Sequence, residues 1–153
     1  MLAGKRILIV IGGGIAASKV LEVIRRLKER GAEVRVILTR SGKEFVTPMT
    51  VGALSGEKVF SDLFDPTEEQ DIGHIVLSRD TDLILVAPAT ANLMARMANG
   101  IADELATASL LAAAAPIIVC PAMNQRMWAH PATQRNAAQL AADGVRFIGP
   151  AEG

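Results

Sequence analysis

Residues 5–11 (KRILIVI) followed by Gly12-Gly13-Gly14-Ile15-Ala16-Ala17 decide how the rest of the chain is read. After Arg6 the run is apolar with no polar alternation, as expected for a strand covered on both faces in a parallel sheet. Three glycines then permit a tight turn. A helical pattern follows to about Arg30, with Ala16, Val20, Val23, Ile24 and Leu27 at helical spacing and Gly31 placed to stop it.

Working outward, 33–38 (EVRVIL) is a second strand, 82–87 (DLILVA) a third and 116–120 (PIIVC) a fourth, with a short strand at 145–148. Between them lie a helical pair at about 90–99 and 103–114. A last helix opens near Pro131, a favoured first-turn residue, and ends at Asp143-Gly144. Strands alternating with helices predict an α/β fold, a Rossmann-like or flavodoxin-like doubly wound parallel sheet forming a single domain over 1–153. The stretch 41–79 is less regular and is expected to carry functional contacts.

Composition narrows the classes. The chain has 153 residues, half of them apolar, enough for one domain with a sizeable core and too apolar for disorder. Sixteen basic residues balance sixteen acidic ones without a long run of either sign, so neither nucleic acid nor an anionic membrane is an expected partner. The single cysteine, Cys120, allows no internal disulfide and suits a cytoplasmic location; at the end of a buried strand it reads as packing. The uncharged stretch 105–124 is mostly alanine and is broken by Pro116 and Pro121, which fits a buried helix and strand better than a membrane span. No grouping of His, Cys and acidic residues has metal-ligand spacing, and no metal is expected.

The glycine turn fits G-x-G-x-x-A, in which glycines let a phosphate approach helix N–H groups. A permissive β–α turn accounts for it equally well. At the tip of the second strand stand Thr39-Arg40-Ser41, hydroxyls and a cation where an NAD site usually has a carboxylate. A terminal phosphate, as in FMN, suits them better than NAD; NADP stays open, and so does plain capping of the next segment.

Further candidates follow later strands, where open α/β sheets bind ligands. In Pro88-Ala89-Thr90-Ala91-Asn92 the small residues would let a flat ring lie against the backbone, with Thr90 and Asn92 as polar handles; Thr90 can equally be a helix cap. Residues 121–128 (PAMNQRMW) carry an amide, Asn124, suited to a carboxylate or substrate amide, while Met123, Met127 and Trp128 can be core or oligomer contacts. His74 can act as acid or base near neutrality or be structural. His130, before Pro131, reads as a helix-entry residue.

Together, Gly13 to Lys19 (GGIAASK), His74, Pro88 to Asn92 (PATAN) and the P-x-M-N-x-x-M-W segment 121–128 resemble the homo-oligomeric flavin-containing cysteine decarboxylases over nearly the whole chain. Val46-Thr47-Pro48 and Asp103-Glu104-Leu105 resemble further family segments. The likeness is strongest to the branch that decarboxylates 4'-phosphopantothenoylcysteine in bacterial coenzyme A synthesis. It implies FMN, with Gly13, Gly14, Ile15, Thr39 and Ser41 at the phosphate end and Thr90, Ala91, Asn92, Leu93 and Ala122 along the flavin. His74 would be catalytic, Asn124 would hold the substrate carboxylate and Met127 would contact substrate. The resemblance also implies a homotrimer assembling to a dodecamer with sites between subunits. Flavin oxidation to a thioaldehyde would create the electron sink that lets the carboxylate leave.

Two departures stand out. The family's PASANT motif reads PATANL here, so Thr90 keeps a hydroxyl and Leu93 loses one. The family's substrate-covering flap, with its proton-returning cysteine, and a synthetase domain are expected beyond Gly153. Alternative activities on the same fold are a flavin prenyltransferase, which lacks the P-x-M-N-x-x-M-W segment and its histidine, and a non-catalytic flavin-binding subunit.

Overall fold

The structure, a computed structural model, describes residues 2–61 and 80–150. Strand β1 (Arg6–Ile11) has no polar alternation because both of its faces are covered. Leu8 and Val10 point into one apolar layer, and Ile7, Ile9 and Ile11 into the other. Truncating the fully buried Leu8, Ile9 or Ile11 to alanine would cost about 2–5 kcal/mol.

Helix α1 (Ala17–Glu29) buries Ala17, Val20 and Ile24 on the second layer. Arg26 and Lys28 sit in its last turn, where cations oppose the negative end of the helix dipole. Gly31 then takes φ 89°, a left-handed conformation that favours glycine. The chain re-enters the sheet as β2 (Glu33–Leu38), parallel to β1 with Ile9 opposite Val36.

The region after β2 is more regular than its sequence suggests. A 3-10 turn (Gly42–Glu44) leads to α2 (Pro48–Ser55) and a two-residue strand β3 (Val59–Phe60). Thr47 caps α2 by accepting from the Thr50 N–H at 3.1 Å, with Pro48 at the first helical position. Only Val51 and Ser55 of this helix are buried, too few to leave a periodic signature.

Beyond residue 80 come β4 (Leu83–Ala89), α3 (Ala91–Ala98), α4 (Leu105–Leu111) and β5 (Ile117–Pro121). Then follow α5 (Gln125–Ala129), α6 (Pro131–Ala142) and β6 (Arg146–Phe147). Helix α4 is shorter than the 103–114 read from the sequence. The short α5, absent from that reading, separates β5 from the helix at Pro131. Leu93 and Met94 of α3, Leu105, Ala106 and Leu110 of α4 and Leu140 of α6 pack on Leu8 and Val10.

Among the described residues the strands form one sheet in the order β3-β2-β1-β4-β5-β6, every pair parallel. Without the two-residue edge strand the order is that of flavodoxin; with it, that of the dinucleotide-binding fold. Both place the reversal of winding between β1 and β4. There the helices diverge to opposite faces and leave a crevice at the carboxyl ends of the strands. No helix among the described residues is long and apolar enough to cross a membrane.

Candidate functional site

A cleft opens at that reversal point, lined by Gly12, Gly13, Thr39, Ser41, Thr90, Asn92, Leu93, Arg96 and Glu104. Glycine is required in its floor by close approach. A Cβ on Gly12 would lie 2.3 Å from the Pro88 carbonyl oxygen, and one on Gly13 would lie 2.6 Å from the Ser41 Cβ. The Gly12 N–H donates to that Pro88 oxygen at 3.2 Å, joining the ends of β1 and β4.

Gly14 differs from its neighbours. Its φ is 122°, and a Cβ there would meet nothing within 4 Å, so bare backbone faces open space. Ala17, Ser18 and Lys19 donate to the carbonyls of Gly14, Ile15 and Ala16. The N–H groups of Gly13, Gly14, Ile15 and Ala16 reach no acceptor among the described residues. Helix α1 has no acidic residue in its first turn to neutralise its positive end. Free amides, a helix dipole and a bare glycine backbone supply the donors that suit a phosphate, and of these four residues Gly13 lines the cleft itself.

Thr39 and Ser41 differ in role. Thr39 is buried; its hydroxyl donates to the Ile11 carbonyl at 2.7 Å and accepts from the Gly42 N–H at 3.0 Å. Its proton is therefore engaged within the protein, and it shapes the cleft wall. Ser41 is exposed, and its hydroxyl has no partner among the described residues, leaving it free to donate.

On the β4 side, Thr90 caps α3 by accepting from the Leu93 N–H at 3.1 Å. Leu93, buried, packs into the core layer and lines the cleft at once. Ala91 is the first residue of α3. The Asn92 Oδ1 accepts from Arg96 Nε at 3.2 Å, and Arg96 extends a terminal nitrogen to Asp103 at 2.8 Å. Of the remaining lining residues, Glu104 stands in the Asp103-Glu104-Leu105 segment, and Arg96 belongs to no motif of the sequence. Gly12 stood within the quoted turn, and Arg96, one turn after Asn92, was signalled only by its i,i+4 spacing.

The next segment along the same edge begins at Ala122, whose N–H donates to the Ala89 carbonyl at 3.1 Å and thereby ties β5 to β4. Asn124 caps α5, its Oδ1 accepting from the Met127 N–H at 2.9 Å. This fixes the exposed Asn124 with its oxygen turned inward and its N–H₂ available as a donor, the polarity a carboxylate needs. Met127 is exposed, whereas Met123 and Trp128 pack against the core. Asn124 and Met127 do not line the glycine-turn cleft. His74 lies outside the described residues. His130 caps α6 through Nδ1, which accepts from the Ala132 N–H at 2.9 Å. Burial pushes the Cys120 thiol up, leaving little thiolate at neutral pH, in keeping with a packing role.

The sequence profile of the Flavoprotein family matches residues 1–153. The chain belongs to the Flavoprotein family. Among Flavoprotein relatives, the coenzyme A biosynthesis bifunctional protein CoaBC of Vibrio vulnificus is 54% identical over 152 residues, which cover 99% of this chain and 38% of that protein. The chain thus spans well under half the length of the curated relatives it matches. The solved structure of the FMN-dependent cysteine decarboxylase SpaF superposes with a TM-score of 0.91 at 35% identity, covering all of this chain and 88% of that one. A PPC decarboxylase mutant complexed with pantothenoylaminoethenethiol superposes with a TM-score of 0.83 at 30% identity, covering 97% of this chain and 84% of that one.

Proposed function

We propose that this domain binds FMN along the carboxyl edge of its sheet and decarboxylates 4'-phosphopantothenoylcysteine to 4'-phosphopantetheine on the route to coenzyme A. The observation that carries the reading is the set of free amides at the glycine turn beside a cleft whose other wall is built from Thr90, Asn92 and Leu93. Gly13, Gly14, Ile15 and Ser41 would hold the phosphate through N–H and O–H donors, with Thr39 setting the position of the Ser41 loop. Thr90, Ala91, Asn92, Leu93 and Ala122 would line the ring. Bound FMN supplies the oxidation that gives the departing carboxylate's electrons somewhere to go.

The chain's own residues orient substrate and move protons. Asn124, held by its cap to Met127, would direct its N–H₂ at the substrate carboxylate, with Met127 beside it. His74, placed by its motif, would take the proton of the thiol or neighbouring carbon. The unit is proposed to act in the cytoplasm as the decarboxylase part of a longer chain, with a flap and a synthetase domain beyond it. The exposed apolar side chains of Ile15, Phe45 and Met49, on the segments after β1 and β2, support contact between copies of the chain, for which the family resemblance implies trimers and then dodecamers with sites between subunits.

The test is carbon dioxide release from 4'-phosphopantothenoylcysteine by the full-length protein. His74→Asn should keep the yellow FMN complex and abolish release. Undiminished release would remove His74 from the chemistry, and absence of release in the unaltered protein would overturn the assignment.

A further inference from the structure

We infer that Arg96 is a positioning residue for the ring site, acting through Asn92 by fixing which way that side-chain amide points. The inference rests on the flavin reading above, and the experiment below separates the two.

An arginine can only donate hydrogen bonds. Its Nε lies 3.2 Å from Asn92 Oδ1, one helical turn away on α3, so the amide must turn its oxygen toward Arg96. The two N–H hydrogens of Asn92 then remain as what this side chain can offer a ligand, and they have no partner among the described residues. The Arg96 guanidinium is itself held by Asp103, in the loop between α3 and α4, at 2.8 Å. Asn92 and Arg96 line the cleft together with Gly12, Gly13 and Thr90, so the relay forms part of its wall.

The consequence is chemical. A flavin ring offers acceptors at its carbonyl oxygens and at two ring nitrogens, and reduction adds negative charge to that acceptor system. A donor amide whose oxygen is bonded to a cation is polarised and becomes a stronger donor. Arg96 would thus favour bound flavin, and reduced flavin more than oxidised. Without it the amide is free to turn over and present its oxygen to an acceptor.

The experiment compares the FMN-loaded protein with Arg96→Met, Arg96→Lys and Asp103→Asn, reading FMN affinity by fluorescence quenching, the flavin midpoint potential and the thermal midpoint. Loss of one hydrogen bond to a charged partner predicts about tenfold weaker FMN binding in Arg96→Met. A lower midpoint potential should accompany it, with Arg96→Lys restoring most of both and Asp103→Asn falling between. Repeating Arg96→Met on an Asn92→Ala background is decisive, because the arginine should then have no further effect on affinity or potential. Full additivity of the two changes, or a fall in thermal midpoint with unaltered potential, would overturn the relay. Should Arg96→Met not fold, Arg96→Lys and Asp103→Asn decide in the same cycle. Failure of the unaltered protein to bind FMN would overturn the flavin reading itself, and the relay with it.

Discussion

The Thr39 hydroxyl donates to the Ile11 carbonyl at 2.7 Å, joining the ends of two strands whose residues stand 28 apart. The same oxygen accepts from the Gly42 N–H at 3.0 Å, so one buried side chain ties β1, β2 and the Ser41 loop together on one wall of the cleft. Replacing Thr39 by Val keeps the shape, removes the donor and leaves the buried Gly42 N–H without an acceptor. The expected cost is about 1–3 kcal/mol, measured as a lower urea midpoint, with Thr39→Ser close to the unaltered protein. FMN affinity should fall in Thr39→Val through the displaced Ser41 loop. Equal midpoints for Val and Ser would show that the bond contributes nothing.

Asn124 offers a separation of structural and binding roles. Asp caps helices as well as Asn, so Asn124→Asp should unfold within a few tenths of a kcal/mol of the unaltered protein, whereas Asn124→Ala should lose about 1 kcal/mol. Both should raise KM for the carboxylate substrate, and Asp more, because it sets a second negative charge against the first. An unchanged KM in Asn124→Asp would remove Asn124 from substrate binding.

The glycines of the first turn should respond unequally. Gly12→Ala drives a Cβ to 2.3 Å from the Pro88 backbone oxygen, which cannot yield without separating β1 from β4. Gly14→Ala meets no atom and pays only for its φ of 122°, about 1–3 kcal/mol. Thermal denaturation should therefore rank Gly12→Ala well below Gly14→Ala. The reverse order would mean that the turn is built differently.

At the opposite end of the sheet, the Asp82 carboxylate accepts from the Arg6 backbone N–H at 2.8 Å, and that bond holds its pKa below the ordinary 3.8. A carboxyl depressed in the folded state contributes stability that is fully present above its unfolded pKa and is lost as pH falls through the folded value. Urea midpoints should thus fall below about pH 4 in the unaltered protein, and less steeply in Asp82→Asn. Parallel acid limbs in the two proteins would contradict the linkage.

The parts of this molecule that were readable in advance are those in which one side chain's neighbours in sequence are also its neighbours in space. β1, β4 and β5 appear as apolar runs because both their faces are covered, β2 shows through the apolar Val36-Ile37-Leu38 at its end, and Gly31 and Pro131 mark helix ends by their own backbone preferences. Helix α2 left no stripe, since only Val51 and Ser55 turn inward, although Thr47-Pro48 was a usable start signal. Helix α5 is five residues long, too short for periodicity, and its cap Asn124 reads in the sequence as an amide for a ligand. The engagement of Thr39 and the reach of Arg96 to Asp103 depend on partners that only the fold brings near.

The most direct measurement is a binding titration of the purified protein with FMN, riboflavin and NADP, followed by flavin fluorescence and absorbance. The phosphate cradle formed by the free amides of Gly13 to Ala16 predicts stoichiometric FMN binding, riboflavin weaker by about a hundredfold for want of the phosphate contacts, and no competition by NADP. Equal affinity for riboflavin and FMN, or a site saturated by NADP, would contradict the account.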